Sequence, residues 1–248
     1  MRLDVYLSES GLLRSRTVAK EYIGSGRVTV NGDVVTKPSF DVSDSDSVAL
    51  SSPPPEFVSR GGVKLEAALE AFGISVEGAV CCDIGSSTGG FTDCLLRRGA
   101  KTVYAVDSGR GQLDPSLLSD PRVVSVEGFN ARDLSPDVTG GLCDVVVADV
   151  SFISQTYVIP PAVSVMKSGA VYIGLIKPQF ECGRAALGKG GIVRDEKTRR
   201  SAVGRVTECA ERCGLDLSGV ITSPITGGDG NVEYLFSAVK KQERGDFR

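Results

Sequence analysis

Asp83-Ile84-Gly85-Ser86-Ser87-Thr88-Gly89-Gly90-Phe91 is the stretch that decides how this chain folds. The apolar run Ala79-Val80-Cys81-Cys82 leads into it, and Thr92-Asp93-Cys94-Leu95-Leu96-Arg97-Arg98 leaves it with helical spacing. Strand, glycine turn and helix in that order open a doubly wound sheet, whose ligands bind at the carboxyl ends of the strands. Glycines in the turn let the backbone approach a ligand that a Cβ would hold away. No lysine follows them, so the pattern is not a phosphate loop, and the Gly-x-Gly-x-x-Gly spacing of a dinucleotide site is missing too.

Outward from this turn, strands are expected at 79–84, 102–107, 122–127, 143–150, 170–177, 217–223 and 232–239. Helices are expected near 62–72, 90–99, 114–119, 154–167 and 195–213. This alternation predicts an α/β fold, a Rossmann-like and mostly parallel sheet covered on both faces. The last two strands have no helix between them, which predicts an antiparallel final strand. Gln179 to Arg194 is rich in glycine and basic residues and reads as a mobile loop over the site.

A smaller α+β unit precedes the sheet. Leu3, Val5, Tyr6 and Leu7 suggest one helix; Ser15-Arg16-Thr17 opens a second, with Val18, Ala19, Tyr22 and Ile23 on one stripe. Val28-Thr29-Val30, Asn31-Gly32 and Val34-Val35 spell a hairpin with a type I′ turn. Ser47 to Leu50 reads as a further short strand, and Ser51-Ser52-Pro53-Pro54-Pro55 as a semi-rigid spacer. The expected organisation is a small domain at 1–50, a linker at 51–61, the sheet domain at 62–241 and a polar tail at 242–248.

Composition narrows the chemistry. A net charge of −3 confines any nucleic-acid surface to a local patch. The absence of histidine removes the commonest general base and the commonest zinc ligand, and no metal is expected. The cysteines include no Cys-x-x-Cys pair and read as reduced, buried thiols of a cytoplasmic protein. No apolar run reaches the roughly 18–20 residues of a membrane span, so no membrane partner is expected, and the chain is read as a monomer.

Two acids narrow the ligand. Asp107 closes the strand at 102–107, about 20 residues beyond the turn, where a carboxylate accepts hydrogen bonds from a ribose. Asp83 lies inside the motif, where it suits a cationic ligand tail and repels a pyrophosphate. S-adenosylmethionine carries both a ribose and a charged amino-acid tail, so the pair favours it as cofactor. The expected cofactor contacts are Asp83, Gly85, Ser86, Ser87, Thr88, Gly89, Gly90, Phe91, Asp107 and Asn130.

Charges also stand at strand tips. Asp149 closes Val145-Val146-Val147-Ala148, Lys177 closes the run 171–176, Glu233 opens the last strand, and Lys64 lies at a helix start. Buried charges need partners. One reading is an ion-pair cluster that seals the sheet edge. The other is convergence: an antiparallel last strand brings Glu233 beside Lys177, with Asp149 near both. A lysine held among carboxylates is a route to a general base without histidine.

The turn 83–92, the strand end Ala148-Asp149-Val150-Ser151-Phe152-Ile153-Ser154 and the segment Leu175-Ile176-Lys177-Pro178-Gln179-Phe180-Glu181 together resemble the TlyA (haemolysin A-like) family. These are FtsJ-type methyltransferases acting on a ribose 2′-hydroxyl of ribosomal RNA. Met1 to Leu7, and Ser15-Arg16 through Gly32, resemble the alpha-L RNA-binding domain that precedes the catalytic domain in that family. The likeness reaches to about residue 241. It implies a catalytic tetrad at Lys64, Asp149, Lys177 and Glu233, with Lys177 taking the hydroxyl proton, and ribosomal RNA or ribosomal subunits as partner.

Residues 1–37 hold six basic against four acidic side chains, an excess of two. Phosphate positioning needs a patch of that kind. The expected RNA contacts are Arg2, Arg14, Arg16, Lys20, Arg27 and Lys37, with Arg60 in the linker. Three other readings stand beside this one: a membrane-active haemolysin, an RNA-binding assembly module with an inactive methyltransferase domain, and a Rossmann-type nucleotide enzyme of other chemistry.

Overall fold

Asn31 and Gly32 both adopt left-handed φ, 54° and 91°. That is the geometry a two-residue I′ hairpin demands, and it joins β1 (Val28–Val30) to β2 (Asp33–Val34). The computed structural model of the chain describes residues 1–53, 56–183 and 186–242. Pro54 and Pro55 of the spacer and 243–248 of the polar tail lie outside the described residues. The chain divides into two units between Glu56 and Phe57.

In the first unit, β3 (Val48–Leu50) pairs with the other edge of β1, giving an antiparallel sheet of order β2-β1-β3. Two helices pack beside it, α1 (Leu3–Glu9) and α2 (Arg16–Gly24). Ser15 caps α2 by accepting from Val18 N. Leu3, Leu7, Ala19, Ile23 and Val28 are wholly buried and form the core.

The second unit holds a seven-stranded sheet of order β6-β5-β4-β7-β8-β10-β9. Its strands are β4 (Val80–Ile84), β5 (Thr102–Asp107), β6 (Val123–Glu127), β7 (Cys143–Ala148), β8 (Met166–Ile176), β9 (Leu215–Thr222) and β10 (Tyr234–Lys240). β10 runs antiparallel to both of its neighbours, β8 and β9. The final strand is therefore antiparallel as the missing helix predicts, and it is inserted inside the sheet rather than added at its edge.

Alternation sets the two faces. Cys82, Val146, Ala148 and Tyr172 pack on one side with α6 (Ile159–Ser164) and α8 (Glu196–Arg212). Cys81, Val145, Val147 and Ile173 pack on the other with α3 (Gly61–Ala71), α4 (Gly90–Arg97) and the short α5 (Pro115–Leu118). Five of the cysteines are buried free thiols in these layers, and burial pushes Cys81 up to about 12, so it is inert.

Two local expectations change. The helix expected over 154–167 is a 3₁₀ turn at Gln155–Tyr157 followed by α6, because Pro160 and Pro161 fit only a first helical turn. β8 then starts four residues earlier than expected, at Met166 rather than 170. The stretch 179–194 is not a free loop either. Its start lies in α7 (Pro178–Glu181), while Val193 N donates to Asn231 Oδ1 at 2.9 Å and Asn231 Nδ2 donates to Gly191 O at 3.1 Å. One buried amide thus pins the segment's end from two sides; Arg184 and Ala185 lie outside the described residues.

Strand order reverses at β4, with β5 on one side and β7 on the other. The crevice at such a reversal is where ligands bind.

Candidate active site

Where β4 ends, the chain turns between two neighbouring strand tips. Gly85 N and Ser86 N both donate to Val106 O, at 2.8 and 3.2 Å, and Asp149 N donates to Ile84 O at 3.0 Å. Gly85 has φ +83°, and a Cβ placed on it would lie 2.5 Å from Asp149 O. Left-handed strain and a backbone clash act together there, so Gly85→Ala is expected to lower unfolding free energy by at least about 2 kcal/mol. Urea denaturation measures it.

Ser87 also adopts a left-handed φ, 48°. Its N–H donates to Asp107 Oδ2 at 2.8 Å, and Gly109 N–H donates to Asp107 Oδ1 at 2.6 Å. Asp107 thus braces the glycine turn and still lines the adjoining cavity of about 720 Å³ with Gly85, Ser87, Asn130 and Asp149. Asn130 accepts from Arg132 N at 3.1 Å, which opens a short 3₁₀ turn on the cavity wall. Ser86, Thr88, Gly90 and Phe91 line a smaller recess beside it. Gly89 faces the Leu113 and Leu117 side chains instead.

Asp83, expected to receive a cationic ligand tail directly or through water, lies beneath the surface of the turn. It is wholly buried: Oδ2 accepts from the Thr92 hydroxyl at 2.7 Å, and Oδ1 has no hydrogen-bond partner. Burial, with smaller contributions from Asp149 and Asp107, raises its pKa to about 7. The carboxyl group lies behind the turn, bonded to Thr92 in the first turn of α4.

The four charges expected to converge form two ion pairs. Lys177 Nζ lies 2.7 Å from Asp149 Oδ1 and donates to Ser151 Oγ at 2.7 Å. The contact with Asp149 Oδ1 is a close ion pair rather than an aligned hydrogen bond. Lys64 Nζ lies 2.5 Å from Glu233 Oε2, and both side chains are buried. Tyr234 pairs with Ile176 across β10 and β8, so Glu233 and Lys177 follow each other at the same end of the sheet. Lys177, Glu233 and Ser151 line a second large cavity of about 710 Å³. Ser151 also lines the cavity at the glycine turn, so the two spaces share the Lys177–Asp149–Ser151 group between them.

Aromatic side chains furnish the second cavity. Phe152 is 92% exposed with φ +64°, and its ring lies 5.2 Å from that of Phe180. The Arg132 guanidinium stacks 4.8 Å over the Tyr157 ring. Ser151 and Phe152 were in view in the sequence only as parts of a motif. Nothing local announces that a phenylalanine takes a left-handed φ.

The seven basic residues read as RNA contacts are all exposed. Arg2 and Arg16 meet on Asp4: Arg2 Nε to Oδ1 is 2.9 Å and Arg16 Nη2 to Oδ2 is 3.0 Å. Asp4 itself is buried, and the Arg2 hydrogen bond leads in lowering its pKa to about 2. Arg27 lies over the Tyr22 ring at 5.3 Å. Arg14, Lys20 and Lys37 belong to the same unit, whereas Arg60 belongs to the second, where it donates to Thr226 O. Among the described residues no cluster of His, Cys, Asp or Glu has the makings of a metal site, and no helix is long and apolar enough to cross a membrane.

Comparison with known proteins bears on both units. A family model for FtsJ-like methyltransferases matches residues 57–240, and one for the S4 domain matches residues 1–48. The chain is 47% identical over 235 residues to the 16S/23S rRNA (cytidine-2′-O)-methyltransferase TlyA of Mycobacterium tuberculosis, covering 94% of this chain and 88% of that protein. It is 44% identical over 236 residues to Hemolysin A of Brachyspira hyodysenteriae, covering 95% of this chain and 98% of that one. A solved structure of a hemolysin-type protein from Streptococcus thermophilus matches with a TM-score of 0.78 and 41% identity, over 98% of this chain and 89% of that chain.

Proposed function

The chain belongs to the FtsJ-like methyltransferase family and carries an S4 domain ahead of the catalytic one, and on that premise we propose that it transfers the methyl group of S-adenosylmethionine to a ribose 2′-hydroxyl of ribosomal RNA. The observation that carries this reading is the Lys177 amine, held by Asp149 and Ser151 where the glycine-turn cavity meets the aromatic one.

The residues present suit the cofactor. Gly85 leaves open the space a Cβ would fill against Asp149 O, Asp107 faces the cavity as a ribose acceptor, and Asp83 keeps a buried oxygen without a hydrogen-bond partner. S-adenosylmethionine supplies an electrophilic methyl group on a sulfonium. Lys177 accepts the hydroxyl proton as the oxygen attacks, and Asp149 orients its amine. Lys64 and Glu233 form a buried ion pair at the same end of the sheet, and Lys64 steadies the charge that develops on transfer. In such a displacement, positioning and fixed charge supply most of the acceleration. Residues 1–50 bring affinity for folded RNA, with Arg2 and Arg16 presented by Asp4 for phosphate, and residues 62–241 carry out transfer.

Phe152 gives the target nucleoside a platform. A bulky residue in a left-handed conformation costs on the order of 1–3 kcal/mol, and this one is solvent-exposed. Base stacking on an aromatic ring is worth about 1–3 kcal/mol per base and offsets that strain once RNA is bound. Phe152→Ala is therefore expected to raise the apparent KM for RNA about tenfold or more, measured in steady-state methyl transfer.

Transfer of labelled methyl from S-adenosylmethionine to purified ribosomal subunits, followed by mapping of the modified ribose, tests the reading. Incorporation at a 2′-oxygen supports it. Labelling of neither subunit by folded, cofactor-binding protein overturns it.

A further inference from the structure

Between the strand tips and α7 runs a buried polar circuit that neither the cofactor cavity nor the ion pairs explain. Glu181, in α7, is only 3% exposed. Its Oε1 accepts from Gln155 N at 2.8 Å, and its Oε2 accepts from the Ser154 hydroxyl at 2.5 Å. Gln155 is as deeply buried and turns its amide back towards the sheet. Its Nε2 donates to Ala148 O at 3.1 Å and to Leu175 O at 3.0 Å, and its Oε1 accepts from the Tyr172 hydroxyl at 2.8 Å. Arg205 fastens the same end of α7 by donating to Glu181 O.

The positions of these partners matter. Ala148 directly precedes Asp149, Leu175 lies just before Ile176 and Lys177, and Glu181 sits one helical turn after Lys177. The segment from Asp149 to Gln155 also carries Ser151, which holds the Lys177 amine. The circuit therefore runs from Asp149 through its loop to Gln155, across to Glu181, back along α7 to Lys177, and closes on the Lys177–Asp149 pair. Both chain arms are short, so slack at Glu181 passes directly to the pair.

Burying a carboxylate costs several kcal/mol unless hydrogen bonds compensate, and apolar packing closes a sheet edge as well or better. Burial raises the Glu181 pKa, so this group is kept against its own solvation. A misplacement of about 1 Å in an aligned transfer costs on the order of 10²-fold in rate.

We propose that Glu181, acting through Gln155 and Ser154, is a positioning residue that sets the Lys177–Asp149 pair. The inference rests on the methyltransferase reading of the site, and its test separates the two. In the full-length protein, Glu181→Ala is expected to lower kcat for methyl transfer roughly 10- to 100-fold. KM for RNA and for cofactor should stay within about threefold, because neither cavity is altered. Glu181→Gln, which keeps an acceptor oxygen for Gln155 N, should recover most of that loss. A purely structural role would lower the amount of folded enzyme and not divide kcat from KM in this way.

Hydrogen exchange without substrate supplies the second readout. Glu181→Ala should speed exchange in peptides spanning 149–157 and 176–183 and leave 80–84 and 102–107 as in the parent. Ser154→Ala removes one link only and should show a smaller change of the same kind, which keeps the test open if the alanine variant at 181 does not fold. Unchanged kcat, or unchanged exchange in those two segments, overturns the proposal. If the parent protein methylates no RNA, the functional reading fails, and the exchange pattern alone decides the circuit.

Discussion

Lys177→Ala is expected to slow methyl transfer by roughly 10²- to 10⁴-fold, the usual range for loss of a general base. Cofactor affinity should change by less than about threefold, because the residues that brace the glycine turn are Val106, Asp107 and Asp149. Single-turnover rates with purified ribosomal subunits measure the first, and calorimetry the second. Lys177→Arg sharpens the result. The guanidinium keeps the positive charge beside Asp149 and has no removable proton near neutral pH. If Lys177 accepts the proton, Arg should be as slow as Ala to within about tenfold. An arginine variant that retained near-parent rates would reduce Lys177 to a fixed charge and remove the base from the scheme.

Asp83→Asn is expected to separate stability from binding. Asp83 is wholly buried, and burial raises its pKa from 3.8 to about 7. The folded state therefore holds this proton more tightly than the unfolded chain does. Its contribution to stability is full below about pH 4, falls as pH rises, and is lost above about pH 7. At 1.36 kcal/mol per pKa unit the linkage is at most on the order of 4 kcal/mol. Asparagine keeps an acceptor for the Thr92 hydroxyl and does not titrate. The variant's stability relative to the parent should climb between pH 4 and pH 7 and then level off, measured by urea denaturation at a series of pH values. Adenosylmethionine affinity at pH 8 should fall about tenfold, since a charge set back from a cation inside a protein still attracts it by on the order of 1–2 kcal/mol. A stability difference that is flat with pH would sink the first half; unchanged affinity would sink the second.

Asp4 supplies the opposite sign. Its pKa is lowered to about 2 by Arg2 and Arg16, so the stability it brings is present above about pH 4 and is lost as pH falls towards 2. The acid limb of the whole protein therefore mixes both trends, and only the difference between variant and parent isolates Asp83.

Much of the sheet was legible because its signals are local. Runs such as Val145-Val146-Val147 alternate between two covered faces, Asn31-Gly32 admits the left-handed φ of a I′ turn, and Ser15 supplies a cap. Boundaries failed where two local rules competed. Pro160 and Pro161 permit only a helix start, which shortened the expected helix and lengthened β8. The four strand-tip and helix-start charges were visible as candidates, because a charge beside an apolar strand needs a partner. Which cation met which carboxylate was not visible, since that depends on β10 entering between β8 and β9.

By itself the chain's sequence determined the glycine turn, the alternation of strands and helices, and the acids and lysines available for chemistry. Each of these is set within a few residues by φ, by side-chain period or by side-chain type. Tertiary structure alone decided that Asp83 is sealed behind the cleft, that Phe152 stands in water with a left-handed φ, and that Glu181 reaches Gln155. Those outcomes depend on strand order and on contacts between segments distant in the chain, and no short-range preference specifies them.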